Sequence, residues 1–174
     1  MQPLLLSAAT LAPHLEALLA ADHRCYLRAV DRLSRERAEL LLAAAELRGR
    51  LWFDEAGEPC GYTAIHTIAA PVLAMLERPS ATATDRGFVV PATVGEAAAG
   101  VYLFNYSIAA ELRRSGASRA LIAGLADDLG SMAKGLPVAA LCVSDAGIRV
   151  AERLGLRAHA RIEVGGDLET VMLR

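Results

Sequence analysis

Apolar positions along the chain change period several times, and each change predicts an element. Residues 3–8 read as a short initial strand. Leu11, Leu15, Leu18, Leu19, Tyr26, Val30 and Leu33 then recur at helical spacing, which predicts a helix over 11–32 with Thr10 as N-cap and Pro13 in its first turn. Ser34 restarts a second, Ala- and Leu-rich helix to about Leu47, closed by Gly49. The period then falls to two. Arg50–Asp54 and Cys60–Ala69 read as the strands of a hairpin, because the intervening Asp54 to Pro59 carries the Gly and Pro that a reversal needs. Residues 70–99 form an irregular insertion, with a short helix over Val72–Glu77 and Pro79, Pro91, Gly87 and Gly95 beyond it. A long insertion ahead of a strand is where a ligand-binding loop, or a plain surface loop, is drawn from.

Val101–Ala110 is a nearly unbroken apolar and aromatic run of strand length, and strict alternation puts Tyr102, Phe104, Tyr106 and Ile108 on one side, Leu103, Asn105 and Ser107 on the other. Ser118–Leu129 returns to helical spacing, with Leu121, Ile122, Leu125 and Leu129 on one face. Ala139–Val143 is the next strand, Ser144 caps a helix to about Leu154, and Gly155 ends it. Two last strands, 157–164 and 169–173, are joined by Gly165-Gly166-Asp167. The stretch from 101 to 129 is thus a strand, a polar turn and a helix. Successive amides in such a turn, together with the open N–H groups of the first helical turn, make a cradle for a phosphate. Arg113, Arg114, Ser115, Gly116, Ala117, Ser118 and Arg119 occupy it.

Composition narrows the picture. With 174 residues, 54% apolar and 5% aromatic, the chain is expected to form a single domain over 1–174, helical in residues 1–50, around a core of Ala, Leu, Val and Ile. A net charge of −2, from 18 basic and 20 acidic residues, leaves no electrostatic footprint for nucleic acid or anionic lipid. Cys25, Cys60 and Cys142 show no CxxC spacing, so neither a disulfide framework nor a zinc site is expected, and a reducing cytoplasmic setting is the simpler reading. The N-terminus lacks a basic start and a sustained apolar run, so neither a signal peptide nor a membrane span is read there. His14, His23, His66 and His159 are scattered without ligand spacing, and no metal is expected. His66, late in the hairpin strand, either faces a ligand or is satisfied on the surface or in the core.

The strand, turn and helix resemble the acyl-CoA signature of the GNAT superfamily of N-acetyltransferases, which reads Gln or Arg, two residues, Gly, one residue, then Gly or Ala. Arg113 and Gly116 match it, and Ser118 stands where Gly or Ala is usual. Ser144 to Leu156 resembles the family's later helix, which normally ends in a tyrosine, three residues and Gly-Phe. The resemblance covers roughly residues 50–174 well and the first 50 loosely. It implies an α/β (α+β) fold with a mixed, mostly antiparallel sheet of about six to seven strands flanked by helices, and an acyl-CoA site where two central strands splay apart. It also implies acetyl-CoA or another acyl-CoA as co-substrate and an amine, small molecule or peptide, as acceptor. The backbone of Arg114 to Arg119 would take the pyrophosphate with charge from Arg113 and Arg119, and the Ile108 backbone would hold the pantetheine arm. Ser144 stands where asparagine is common near that arm. The usual glutamate base falls on Tyr102 and the usual tyrosine acid on Ala151, so Tyr106, Cys142 or water would have to protonate the leaving thiolate. Three readings follow: an N-acyltransferase, a CoA-binding module without efficient turnover, and a transferase for a longer acyl donor. The apolar helices and late strands would permit a homodimer.

Overall fold

Ser7 ends the first strand, β1 (Leu4–Leu6), and starts α1 (Ala8–Leu11): its hydroxyl accepts from the Thr10 amide at 3.3 Å while Thr10 Oγ1 accepts from the Ser7 amide at 2.9 Å. Thr10 therefore lies inside the first turn instead of capping it. The structure, a computed structural model, describes residues 3–84 and 86–174, so Asp85 of the insertion lies outside the described residues, as do Met1, Gln2 and the side chain of Val30.

The helix expected over 11–32 is interrupted. Pro13 sits in a 3₁₀ turn, Ala12–His14, before α2 (Leu15–Cys25), and a second 3₁₀ turn covers Ala29–Asp31. The buried carboxylate of Asp22 explains the stop, because it accepts from the Leu33 amide at 2.7 Å and from the Tyr62 phenol at 2.7 Å, which needs the chain to turn back after α2. Ser34 caps α3 (Arg35–Leu40) by accepting from the Arg37 amide. Gly49 does not end a helix; it lies within β2 (Leu47–Phe53), where a side chain would overlap the Thr63 carbonyl of β3 (Pro59–Ile68).

The insertion is more regular than its sequence. It holds α4 (Ala70–Glu77), the two-residue β4 (Thr82–Ala83) and a 3₁₀ turn at Arg86–Phe88, and Ala92 ties it back by donating to Thr67 and accepting from Ala45. Then come β5 (Gly100–Ile108), α5 (Gly116–Ala133), β6 (Val138–Cys142), α6 (Asp145–Arg153), β7 (Arg157–Val164) and β8 (Asp167–Leu173). One sheet carries all strands in the order β1-β2-β3-β5-β6-β8-β7-β4, with parallel pairing only at β5–β6 and β4–β7. Among the described residues it has eight strands against the six to seven expected, because β4 is too short for any period to reveal it.

Helices cover both faces. On one, Leu11, Leu18 and Leu41 pack with Leu51 and Tyr62, and Leu76 of α4 packs with Tyr102 and Val171. On the other, Leu125 and Leu129 of α5 pack with Leu103, Val138 and Met172. Each fully buried leucine contributes roughly 2 kcal/mol, so either face alone outweighs any single polar contact. A two-point ion pair pins α5 to β2, Arg50 Nε and Nη2 lying 2.8 and 2.9 Å from the Asp128 carboxylate. Among the described residues no helix is long and apolar enough to cross a membrane.

Candidate active site

The site begins with a failure of pairing. β3 holds β5 along its whole length, from Ile68↔Gly100 to Gly61↔Ile108, whereas β6 holds it for three residues only, Val101↔Val138 to Leu103↔Ala140. The β3–β5 register also slips, from Ile65↔Leu103 to Ala64↔Asn105, so Phe104 is an extra residue bulged out of β5. Beyond Leu103↔Ala140, β5 and β6 diverge and leave a wedge.

The bulge corrects the expected alternation. Leu103, Tyr106 and Ile108 pack on the α5 side, while Tyr102 and Phe104 pack on the other, where Asn105 accepts from the Tyr26 phenol at 2.8 Å. Tyr102 and Tyr106 are thus on opposite faces of the sheet. The bulge also re-aims the backbone. Ala109 N donates to Cys60 O at 2.7 Å on the β3 side, so strand alternation turns the amides of Ile108 and Tyr106 away from β3, into the wedge.

A cavity of about 380 Å³ fills the wedge and is lined by residues from both faces of the sheet. Of the residues singled out from sequence, Tyr102, Tyr106, Ile108, Arg113, Ser118, Cys142 and Ser144 line it. Arg114, Ser115, Gly116, Ala117 and Arg119 flank Arg113 and Ser118 without forming its wall. Ser115 is the N-cap of α5 and its Oγ accepts from the Ala117 amide at 3.1 Å. The Arg113 and Ser115 amides donate to Ala110 O and Leu112 O. Every second amide, those of Arg114, Gly116 and Ser118, has no acceptor among the described residues. A Cβ on Gly116 would meet nothing within 4 Å, so space stands open over this turn. The Arg113 guanidinium does not point there: it donates to Ile108 O at 3.3 Å and Cys25 O at 3.0 Å, stapling the end of β5 to α2.

Tyr106 reaches across the wedge. Its hydroxyl donates to Gly147 O at 3.1 Å and lies 2.9 Å from Cys142 Sγ, so with the phenol hydrogen on Gly147 the thiol is the donor to Tyr106. Burial first, and then the neighbouring Cys142, push the phenol's pKa well above its usual value; burial also raises that of Cys142. Tyr102 is buried with its ring centroid 5.5 Å from His66, and burial raises its phenol pKa too, so it is no base near neutral pH. Ser144 Oγ caps α6 by accepting from the Gly147 amide at 3.2 Å. Ala151 is buried against Leu125 and Leu154 and supplies no donor.

His66 belongs to the core. Its Nδ1 lies 3.0 Å from Thr67 O, its Nε2 has no partner among the described residues, and burial drives its pKa down to about 4. His159 is a surface residue 2.7 Å from Glu77 O. Among the described residues no three His, Cys, Asp or Glu side chains group as a metal site would.

Sequence reasoning missed several cavity residues. Arg149 and Arg153 line it from α6, four residues apart on one face, and that spacing was the available signal. Tyr26, Arg32, Arg37 and Arg86 line its other end from three separate segments, and no local pattern joins them.

No protein-family model and no curated protein matches the sequence. Solved structures do. An acyl-CoA N-acyltransferase from Pseudomonas aeruginosa superposes with a TM-score of 0.65 at 12% identity, over 100% of this chain and 99% of its own. The GphF GNAT-like decarboxylase, in complex with isobutyryl-CoA, gives 0.65 at 17% identity over 100% and 98%. Arabidopsis thaliana NAA60 in complex with acetyl-CoA gives 0.60 at 14% over 99% and 98%. The chain has the GNAT fold.

Proposed function

We propose that this GNAT-fold chain is an acyl-CoA-dependent N-acyltransferase, with acetyl-CoA as the first donor to test and an amine as acceptor. The observation that carries the reading is the bulge at Phe104, which aims the Tyr106 and Ile108 amides into a wedge beside the N-terminus of α5. In this reading the Ile108 amide orients and polarises a thioester carbonyl, and the amides of Arg114, Gly116 and Ser118 take the diphosphate. Arg149 and Arg153 add charge along that wall. Tyr106 stays protonated at neutral pH and donates to the departing thiolate. The acyl-CoA complexes of NAA60 and GphF support a CoA derivative as co-substrate. Three free, buried cysteines fit work in a reducing compartment such as the cytosol.

A second reading, a CoA-binding module, is favoured by the chemistry of Tyr102 and Ala151, neither of which can act as base or acid. Free-thiol release from acetyl-CoA with a pooled amine library, run beside thermal shifts with acyl-CoAs of increasing chain length, separates the readings. Thiol release that needs amine supports the transferase. Binding without release supports the module, and no binding of any acyl-CoA ends both.

A further inference from the structure

An amine that arrives as an ammonium must shed a proton before its nitrogen can attack, and Tyr102 cannot receive it. Among the described residues lining the cavity, the carboxylates are Asp22 and Asp31, and no imidazole joins them. Their neighbours differ. Asp31 stands between two guanidiniums, 3.7 Å from Arg28 and 3.4 Å from Arg86, and serves as their counter-charge. Asp22 is 2% exposed and, among the described residues, bonds only neutral donors: the Leu33 amide on one oxygen and the Tyr62 phenol on the other, each at 2.7 Å. A carboxylate offers about four lone-pair sites, so each oxygen keeps one. A buried negative charge with no cation bonded to it favours a positive partner.

The β3–β5 register places Asp22 beside the reacting bond. Tyr62 is opposite Ser107 and Gly61 opposite Ile108, so the phenol that reaches Asp22 rises from the strand next to the Ile108 amide. Tyr62 packs with Leu18 of α2, and Asn105, which donates to Ser107 Oγ at 2.7 Å, accepts from Tyr26, so this group stands on the α2 face of the wedge. Other titratable groups on that face are unfit as bases near neutral pH: burial raises the Tyr26 phenol and pushes the Cys25 thiol up to about 11.

Resting on the transferase reading, we propose that Asp22 is the catalytic base: the acceptor enters as an ammonium along the α2 face, gives one proton to the Asp22 carboxylate, and attacks as the free amine. The nitrogen adds to the thioester carbon, the C–N bond forms, and the second proton leaves the nitrogen for solvent. The C–S bond then breaks with its electron pair on sulfur, which takes a proton from Tyr106. Solvent reprotonates Tyr106 and receives the proton from Asp22, leaving an amide and a free thiol. Burial helps the transfer from both sides, because it raises the Asp22 pKa and disfavours an ammonium in the same cavity. Against burial, the Leu33 amide, the Tyr62 phenol and then His23 and Arg32 favour the carboxylate.

The test is the pH dependence of kcat/KM for thiol release from acetyl-CoA, with the best alkylamine of the pooled library as acceptor. Wild type should lose activity on acidification through one ionisation, that of Asp22. Asp22→Asn has the same shape, accepts from Leu33 and donates to Tyr62; it should lower kcat/KM roughly 100-fold and abolish the ionisation, with the KM for acetyl-CoA unchanged. Tyr62→Phe keeps the base and removes a donor that favours its charged form, so the ionisation should move to higher pH, a shift that a merely structural Asp22 would not give. His23→Gln, at an exposed position, should leave it in place. The proposal is overturned if the acid limb persists in Asp22→Asn, if it disappears in His23→Gln, if Tyr62→Phe does not move it, or if the wild-type rate climbs with pH up to the acceptor's own pKa, which would mean that the amine arrives neutral. Failure of the transferase reading looks different: wild type releases no thiol with any acceptor at any pH, and the role of Asp22 falls with it.

Discussion

Replacing His66 with leucine should flatten the acid limb of the stability curve. The imidazole is 0% exposed, between the rings of Tyr102 and Phe104 at 5.5 and 5.9 Å, and burial is the main cause of its pKa falling from 6.5 to about 4. In the unfolded chain His66 takes a proton as pH falls through 6.5, whereas the folded chain refuses it until about 4. The unfolded state therefore binds more protons across that window, and stability falls with falling pH by about 1.4 kcal/mol per unit. Over the interval the loss is about 3 kcal/mol, a sizeable share of a small domain's total. Asp22 and Glu169 work in the opposite sense, since burial raises both and their folded forms take up protons first. Only the difference between wild type and variant isolates His66. The substitution is structurally mild, because Thr67 O keeps the Ala92 amide as donor at 2.8 Å. Urea unfolding of both proteins from pH 7.5 to 4.5 is the assay. The variant should gain on wild type steadily below pH 6.5, and parallel curves would show that the folded chain does not hold His66 neutral.

Gly116→Leu should leave the melting temperature unchanged, since a Cβ there meets nothing, yet weaken CoA binding at least about tenfold if the α5 N-terminus takes a diphosphate; unaltered calorimetric affinity would remove that role. Tyr106→Phe loses the bond to Gly147 O, costing about 1 kcal/mol of stability, and should lower kcat roughly a hundredfold at unchanged KM; wild-type turnover would leave thiolate protonation to water. Arg50→Lys keeps the charge but not the two-point contact with Asp128, and should cost about 1 kcal/mol in urea unfolding. No change would show that this pair does not fasten α5 to β2.

What sequence alone could reveal was local. Ser34, Ser144 and Gly155 cap or end helices by contacts within a few residues, Gly155 at a φ of +87°, so each was legible from its own neighbourhood. The helix after β5 was legible but its start was not: the apolar period begins it at Ser118, whereas Ser115 caps it and it starts at Gly116. Gly49 was misread because its need for no side chain comes from Thr63, on another strand. The apolar period outran helix α2 because the demand of Asp22 for the Leu33 amide is not periodic.

The wedge itself was hidden. A bulge is a mismatch between two strands, so nothing in the unbroken apolar run of β5 marks Phe104 as the extra residue. That one residue put Tyr102 and Tyr106 on opposite faces and turned two amides toward the gap. Arg113, conspicuous in the motif, was drawn off to Ile108 and Cys25, while Arg37 and Arg86, silent in sequence, both line the cavity. Local chemistry chose the elements and the turn at Ser115; which strands stay paired, and which distant cations converge, was decided only when the sheet closed, because pairing and convergence are properties of two segments and never of one.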